Sequence, residues 1–296
     1  MAGTGTLDAN LQAENLRLAE QVRVFSGDEH IRREAAPWRD ATPAERVAET
    51  WRLCALVPWF RSLWPADVRA RRRARATAGE HPGDSRAVQA GRGRQVTTPE
   101  AAPTEVAVRL ADRFDEDGLP YALGGALALG AWGVPRTTSD VDVSVFVSER
   151  ELDRLLDSVE RAGAMVERAE AHRSVARTGF FVAFFARTRI DVFIAHHPWH
   201  AEMQRRRVSL PTPDGRPRWF LSPEDTALAK LLYARPKDVQ DLERLFAVQA
   251  GRIDLVYLRQ WLPRMVPAGD ARLRLLEVLA GRPAAREDLR YNPVRN

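Results

Sequence analysis

The chain has 296 residues, 45% of them hydrophobic and 29% charged, which is enough apolar material for a real core and argues against global disorder. One cysteine, Cys54, excludes an intrachain disulfide and a cysteine-rich zinc site and agrees with a reducing compartment, so a cytoplasmic location is expected. The formal net charge of +5 eases approach to a polyanion, and no run nears the roughly 20 apolar residues that a membrane helix needs, so no membrane partner is expected.

In chain order, residues 7–23 carry Leu11, Leu16, Leu18 and Val22 at helical spacing. A second helix is expected after Thr42-Pro43, with Glu45 placed for a capping box and Val47, Trp51, Cys54 and Leu56 on its apolar side. Pro58 kinks or ends it, and Trp59, Phe60, Leu63 and Trp64 extend the apolar surface. These helices need a surface to cover: the rest of the chain, a partner or their own hairpin would each serve. Residues 1–64 are therefore read as an N-terminal helical segment, and 65–103, arginine-rich and then rich in small residues, as a basic linker.

The body is expected over 104–200. It starts with a helix carrying Val106, Val108, Leu110 and Phe114 and ended by Asp117-Gly118, then a short strand at 121–123 running into Gly124-Gly125 and a small-residue helix to Trp132. A strand follows at 140–147, a helix at 149–163, and two strands at 180–185 and 189–195 joined near Arg187. Residues 201–296 are read as helical, with helices at 223–234, 237–248 and 253–265. The fold class is α+β: a small mixed sheet with flanking helices, then a helical C-terminal part.

Three aspartates carry the chemistry. In Asp140-Val-Asp142-Val-Ser-Val145 the period of two sends the valines to one face and both carboxylates to the other, about 6.6 Å apart. Like charges so placed repel unless a cation sits between them, and a hard divalent ion such as Mg²⁺ takes carboxylate and phosphate oxygens together. Asp191 stands alone in an apolar strand, Arg189-Ile-Asp-Val-Phe-Ile, where burial costs several kcal/mol unless it is paired or bound to metal. It either joins the other two carboxylates across the sheet or pairs with Arg136 or Arg189 and only stabilises the fold. Gly124-Gly125, at a strand-to-helix turn, presents peptide N–H groups that suit phosphate oxygens. Only two lysines occur among 45 basic residues, Lys230 and Lys237, in a chain that otherwise uses arginine, which marks a place needing a compact ammonium.

Residues 121–147, with Gly124-Gly125, a small apolar helix, Gly130 and then Arg136-x-Thr138-x-Asp140-Val-Asp142, resemble the signature of the DNA polymerase beta nucleotidyltransferase superfamily. Within it they are most similar to the AbiEii/AbiGii toxin-like group. Lys230-Leu-Leu-Tyr-Ala-Arg235-Pro-Lys237-Asp238-Val-Gln-Asp241 is similar to that group's pattern on the helices after the sheet. The resemblance, which covers about 104–250, implies that Gly124, Gly125, Arg136, Thr138 and Lys230 hold an NTP, that Asp140, Asp142 and Asp191 bind Mg²⁺ (Mn²⁺ would serve too), and that Asp191 receives the acceptor's proton. It implies transfer of NMP to an acceptor hydroxyl, with RNA such as a tRNA 3′ end as acceptor and an antitoxin protein as partner in a toxin or phage-defence setting. An antibiotic-type small acceptor and a non-catalytic nucleotide- or partner-binding module are the alternatives. Ala126 stands where the superfamily commonly has a hydroxyl residue, and this favours the binding module. Asp238 and Asp241 are read as caps and ion-pair partners of Arg235 or Lys237. His196-His-Pro-Trp-His200 has a spacing that could bind zinc on a helix, but Pro198 is expected to interrupt that helix, leaving a loop near the acceptor entrance.

Overall fold

The structure, a computed structural model, describes residues 28–57 and 101–281. The helix expected at 7–23 and nearly all of the basic linker lie outside the described residues.

The described N-terminal part forms two helices, α1 (Asp28–Arg39) and α2 (Pro43–Cys54). The Thr42 side chain accepts from the Glu45 amide while Glu45 reaches back to the Thr42 amide at 2.6 Å, so the expected capping box opens α2. Leu56, expected on the apolar side, is 39% exposed. The body follows as α3 (Pro103–Glu116), β1 (Tyr121–Leu123), α4 (Gly125–Trp132), β2 (Asp140–Val145), a short 3₁₀ turn, α5 (Leu152–Arg161), β3 (Met165–Val166), α6 (Arg168–Thr178), β4 (Phe180–Phe185) and β5 (Thr188–Ile194). Then come α7 (Pro198–Arg206), β6 (Val208–Pro211), β7 (Pro217–Phe220), α8 (Pro223–Tyr233), α9 (Pro236–Val248), α10 (Leu255–Met265) and α11 (Ala271–Ala280).

Seven strands make one mixed sheet in the order β3-β4-β5-β2-β1-β7-β6. β2 runs parallel to β5 and antiparallel to β1, and β1 runs parallel to β7. Val141, Val143 and Val145 of β2 are fully buried, and α3 packs on this part of the sheet. The fold class is as read from the sequence, but the hairpin β6–β7 was not expected, nor were α6, α7 and α11. The hairpin turns at Asp214-Gly215, with Gly215 at φ +81°, and the buried Arg218 guanidinium joins Asp112 at 2.7 Å to Asp214 at 2.9 Å. Pro198 does not interrupt a helix. It opens α7 at the first position, where a missing amide costs nothing, and His197 caps the turn by accepting from the Trp199 amide.

The two N-terminal helices cover the body itself: α1 lies on α9 and α2 on α4. Arg46 of α2 is 1% exposed and donates to the carbonyls of Ala131, Trp38 and Ala41. Burial, and then the charge of Arg252, pull its pKa down to about 10. Cys54, at the end of α2, meets the backbone of Thr138, so this helix backs the loop that enters β2; burial pushes its thiol up. The approach of α2 to α4 requires Gly130, because a Cβ there would lie 2.1 Å from Thr50 Oγ1. Gly130→Leu is expected to lower unfolding stability by roughly 2 kcal/mol through overpacking, read as an earlier urea midpoint. An unchanged midpoint would show that α2 does not bear on α4.

Candidate active site

β2 and β5 carry the acidic residues, and their parallel register sets the geometry. Asp142 stands opposite Asp191, and Asp140 opposite Arg189. Register partners face the same side of a sheet at strand spacing, about 5 Å, so Asp142 and Asp191 are neighbours across the ladder. Arg189 and Asp191, two apart on one strand, share that face too.

Asp142 is the centre of the arrangement. Its carbonyl accepts the Gly124 amide at 2.9 Å, which pins the end of β1 and the start of α4 against β2. Gly125 has φ +50°, and a Cβ there would come within 1.8 Å of Asp142 Oδ2. Glycine at 125 is therefore demanded twice, by backbone conformation and by the closeness of this carboxyl. Among the described residues the Asp142 side chain has no hydrogen-bond or ion-pair partner. Burial, then the charges of Asp191 and Asp140, push its pKa up to about 7, while Lys230 and Lys237 pull the other way.

Asp140 is held differently. Its Oδ1 accepts from the Ser139 amide and hydroxyl and lies 3.2 Å from the Thr138 hydroxyl. Burial opposes ionisation, but the Ser139 bonds, Lys237 and Thr138 outweigh it, and the carboxyl titrates below its ordinary range. Thr138, expected to contact nucleotide, here orients Asp140. Asp191 Oδ1 accepts from Arg189 Nε at 2.8 Å, so one of the two pairings considered for it is present alongside its place beside Asp142.

Lys230, Arg136, Asp238 and Asp241 form a buried ion network behind this face. Lys230 Nζ lies 2.7 Å from Asp241 and 3.1 Å from Asp238. Arg136 grips both oxygens of Asp241, at 3.0 and 2.9 Å, and Arg235 Nε reaches Asp238 at 2.6 Å. Asp238 pairs with Arg235 as expected, but Asp241 is taken by Arg136 and Lys230. In this arrangement Arg136 and Lys230 are held by Asp241 and Asp238, and the Lys230 charge is felt at Asp142.

Two further residues, Lys237, expected as an ion-pair partner of Asp238 or Asp241, and Tyr233, which had no expected role, act on the carboxylates. Lys237 is exposed, at the start of α9, and its charge acts on both Asp140 and Asp142. The Tyr233 ring is 56% exposed, lies under the Arg235 guanidinium at 4.9 Å, and its hydroxyl feels the charges of Asp142 and Asp191. The rarity of lysine was a signal for Lys237; Tyr233 had none.

The donor set fits a divalent cation. Hard carboxylate oxygens share one face of the sheet, and among the described residues the half-buried Asp142 carboxyl has no hydrogen-bond or ion-pair partner. As they stand, the three carboxylates do not close into a cage: among the described residues no three His, Cys, Asp or Glu side chains are gathered to hold a metal ion. His196, His197 and His200 line a separate recess of about 430 Å³ beyond the end of β5. Burial holds the His200 imidazole down to about 4, and His197 serves as a helix cap. Among the described residues no helix is long and apolar enough to cross a membrane.

At pH 8 without metal, Asp142→Asn is expected to melt roughly 5 °C above the unsubstituted protein, because it removes a half-buried charge beside the like charges of Asp191 and Asp140. A raised carboxyl pKa means that the folded chain keeps a proton the unfolded chain has lost. The stability cost therefore grows from about pH 4 to about pH 7 and is complete above that. The gain from asparagine should fade at pH 5; melting curves showing a loss at pH 8 would contradict this.

No protein-family model matches the chain, and comparison with curated proteins finds no sequence match. Among solved structures, a solution structure of the antibiotic-resistance factor ANT(2'')-Ia aligns at 19% identity and TM-score 0.35, covering 60% of this chain and 88% of that one. A crystal structure of ANT(2'')-Ia with adenylyl-2''-tobramycin aligns at 20% identity and TM-score 0.34, covering 60% and 95%. An antigenic nucleotidyltransferase-like protein from Paracoccidioides brasiliensis aligns at 18% identity and TM-score 0.33, covering 59% and 91%.

Proposed function

We propose that this chain is a metal-dependent nucleotidyltransferase that moves a nucleoside monophosphate from an NTP to an acceptor hydroxyl. The observation that carries the reading is the Asp142–Asp191 pair, side by side across β2 and β5, with the Gly124-Gly125 turn pressed against Asp142. Like charges are kept there at a cost to stability, which a fold alone does not require.

Asp142 and Asp191, with Asp140 beside them, would hold Mg²⁺ or Mn²⁺. Such an ion supplies Lewis-acid stabilisation of the phosphate charge and lowers the pKa of the attacking hydroxyl. The chain's own contribution is positional. The first amides of α4 have no partner within a helix and, with the positive end of the dipole, suit the phosphates. Ala126 offers no hydroxyl, so this contact rests on backbone alone. Lys237, exposed and acting on both Asp140 and Asp142, would meet the leaving pyrophosphate, alongside the NTP contact that the resemblance implies for Lys230. Lys230 and Arg136 act through Asp238 and Asp241 by fixing the start of α9. In this reading Asp191 would take the acceptor's proton.

For the acceptor we propose RNA, such as a tRNA 3′ end. The net charge of +5 favours a polyanion, and the exposed Tyr233 ring with Arg235 over it offers a stacking surface for a base beside the carboxylates. In this reading the enzyme is of the toxin or phage-defence type, and a small antitoxin protein is its partner. Residues 104–200 then supply the catalytic core, 201–296 the helices that frame it, and 1–64 a helical segment joined through a basic stretch at 65–103.

The test is incubation of the purified chain with each labelled NTP, Mg²⁺ and total tRNA, with an aminoglycoside in a parallel reaction. Label is expected on RNA, and Asp142→Ala should reduce it at least about a thousand-fold, several kcal/mol of transition-state stabilisation. Label on the aminoglycoside alone would overturn the acceptor, and label on neither would leave a nucleotide-binding module.

A further inference from the structure

Arg189 occupies an unusual position for a basic residue. It is directly opposite Asp140 in the β2–β5 register and two residues before Asp191 on the same face, and it is only 24% exposed in its side chain. Its Nε donates to Asp191 Oδ1 at 2.8 Å, a charge-assisted bond to the carboxylate that faces Asp142. Asp140 meanwhile turns its carboxyl toward Ser139 and Thr138. Among the described residues the three carboxylates on this face are not gathered around a common point.

We propose that Arg189 is a built-in counter-ion for the metal site, occupying by its guanidinium part of the space and charge that a divalent cation takes, so that the ion binds in competition with it. The inference rests on the metal-dependent reading above and assigns Arg189 a positioning role, since it acts through Asp191. An arginine cannot give up its charge, so it leaves the pair only by moving. Rotation about its side-chain bonds toward solvent would break the Arg189–Asp191 bond without any change in the strands. The chain thereby keeps Asp191 neutralised while the site is empty, and the metal affinity is set by the difference between two cations rather than by the carboxylates alone.

The test is titration of the full chain with Mn²⁺ alone, followed by electron paramagnetic resonance of the free ion, for the unsubstituted protein, Arg189→Gln, Arg189→Lys and Asp142→Asn. Thermal melts of each variant establish that it is folded. The expected result is that Arg189→Gln binds Mn²⁺ about ten-fold more tightly, that Arg189→Lys stays within about three-fold of the unsubstituted chain, and that Asp142→Asn loses binding. Equal affinity for Arg189→Gln and the unsubstituted protein, with binding still lost in Asp142→Asn, overturns the role of Arg189 and leaves the nucleotidyltransferase reading intact. No binding to any variant, or unchanged binding in Asp142→Asn, overturns the metal site and the role of Arg189 with it. Should Arg189→Gln not fold, Arg189→Met replaces it under the same criteria.

Discussion

A half-buried carboxyl with like-charged neighbours and, among the described residues, no hydrogen-bond or ion-pair partner is the constraint from which the rest of this structure follows. Asp142 sits mid-strand in the sheet, flanked by Asp140 and faced by Asp191, and burial together with their charges drives its pKa to about 7. Everything close to it is shaped to tolerate or use that charge. Gly125 is without a side chain because any Cβ would collide with the carboxyl, and the Gly124 amide is spent on the Asp142 carbonyl. Arg189 neutralises Asp191, and Ser139 and Thr138 satisfy Asp140. Of the three, the Asp142 side chain has no hydrogen-bond or ion-pair partner among the described residues.

Behind this face, a second electrostatic layer ties the sheet to the C-terminal helices. Arg136 leaves the loop that enters β2 and clamps Asp241 on α9, while Lys230 from α8 bridges Asp241 and Asp238. Each buried charge in the network has an opposite charge in contact, the condition under which such groups persist in an interior. The network fixes the α8–α9 corner, and the corner places Lys237, Arg235 and Tyr233 around the open side of the carboxylates. The N-terminal helix α2 reinforces the same loop from the other side, with Cys54 against Thr138. Positioning of the site is thus shared by residues far apart in the sequence.

Residues whose local pattern decides their environment were legible beforehand. Alternating valines placed both aspartates of β2 on one face, the lone acid in an apolar run marked Asp191, and the doubled glycine marked the turn. The strands that carry them and the capping box of α2 fell where expected. The hairpin β6–β7 was missed because its strands have only four residues each and one contains a buried arginine, whose burial depends on Asp112 a hundred residues away. Its Asp-Gly turn was the available signal. Pro198 was misjudged because proline stops a helix in the middle but starts one at the first turn, and the difference lies in where the helix begins. The partners of Lys230 and Arg136 were hidden for a related reason: sequence shows which charges exist, and only tertiary structure shows which charges cancel.

The most direct measurement of the central claim is a crystal structure of the chain with Mn²⁺ and a non-hydrolysable nucleoside triphosphate, with anomalous scattering used to locate the ion. The account predicts an anomalous peak between the carboxylates of Asp142 and Asp191, within about 2.2 Å of an oxygen from each, with the triphosphate lying against the Gly124-Gly125 turn. An ion bound elsewhere with those two side chains unchanged, or a triphosphate remote from that turn, would contradict it.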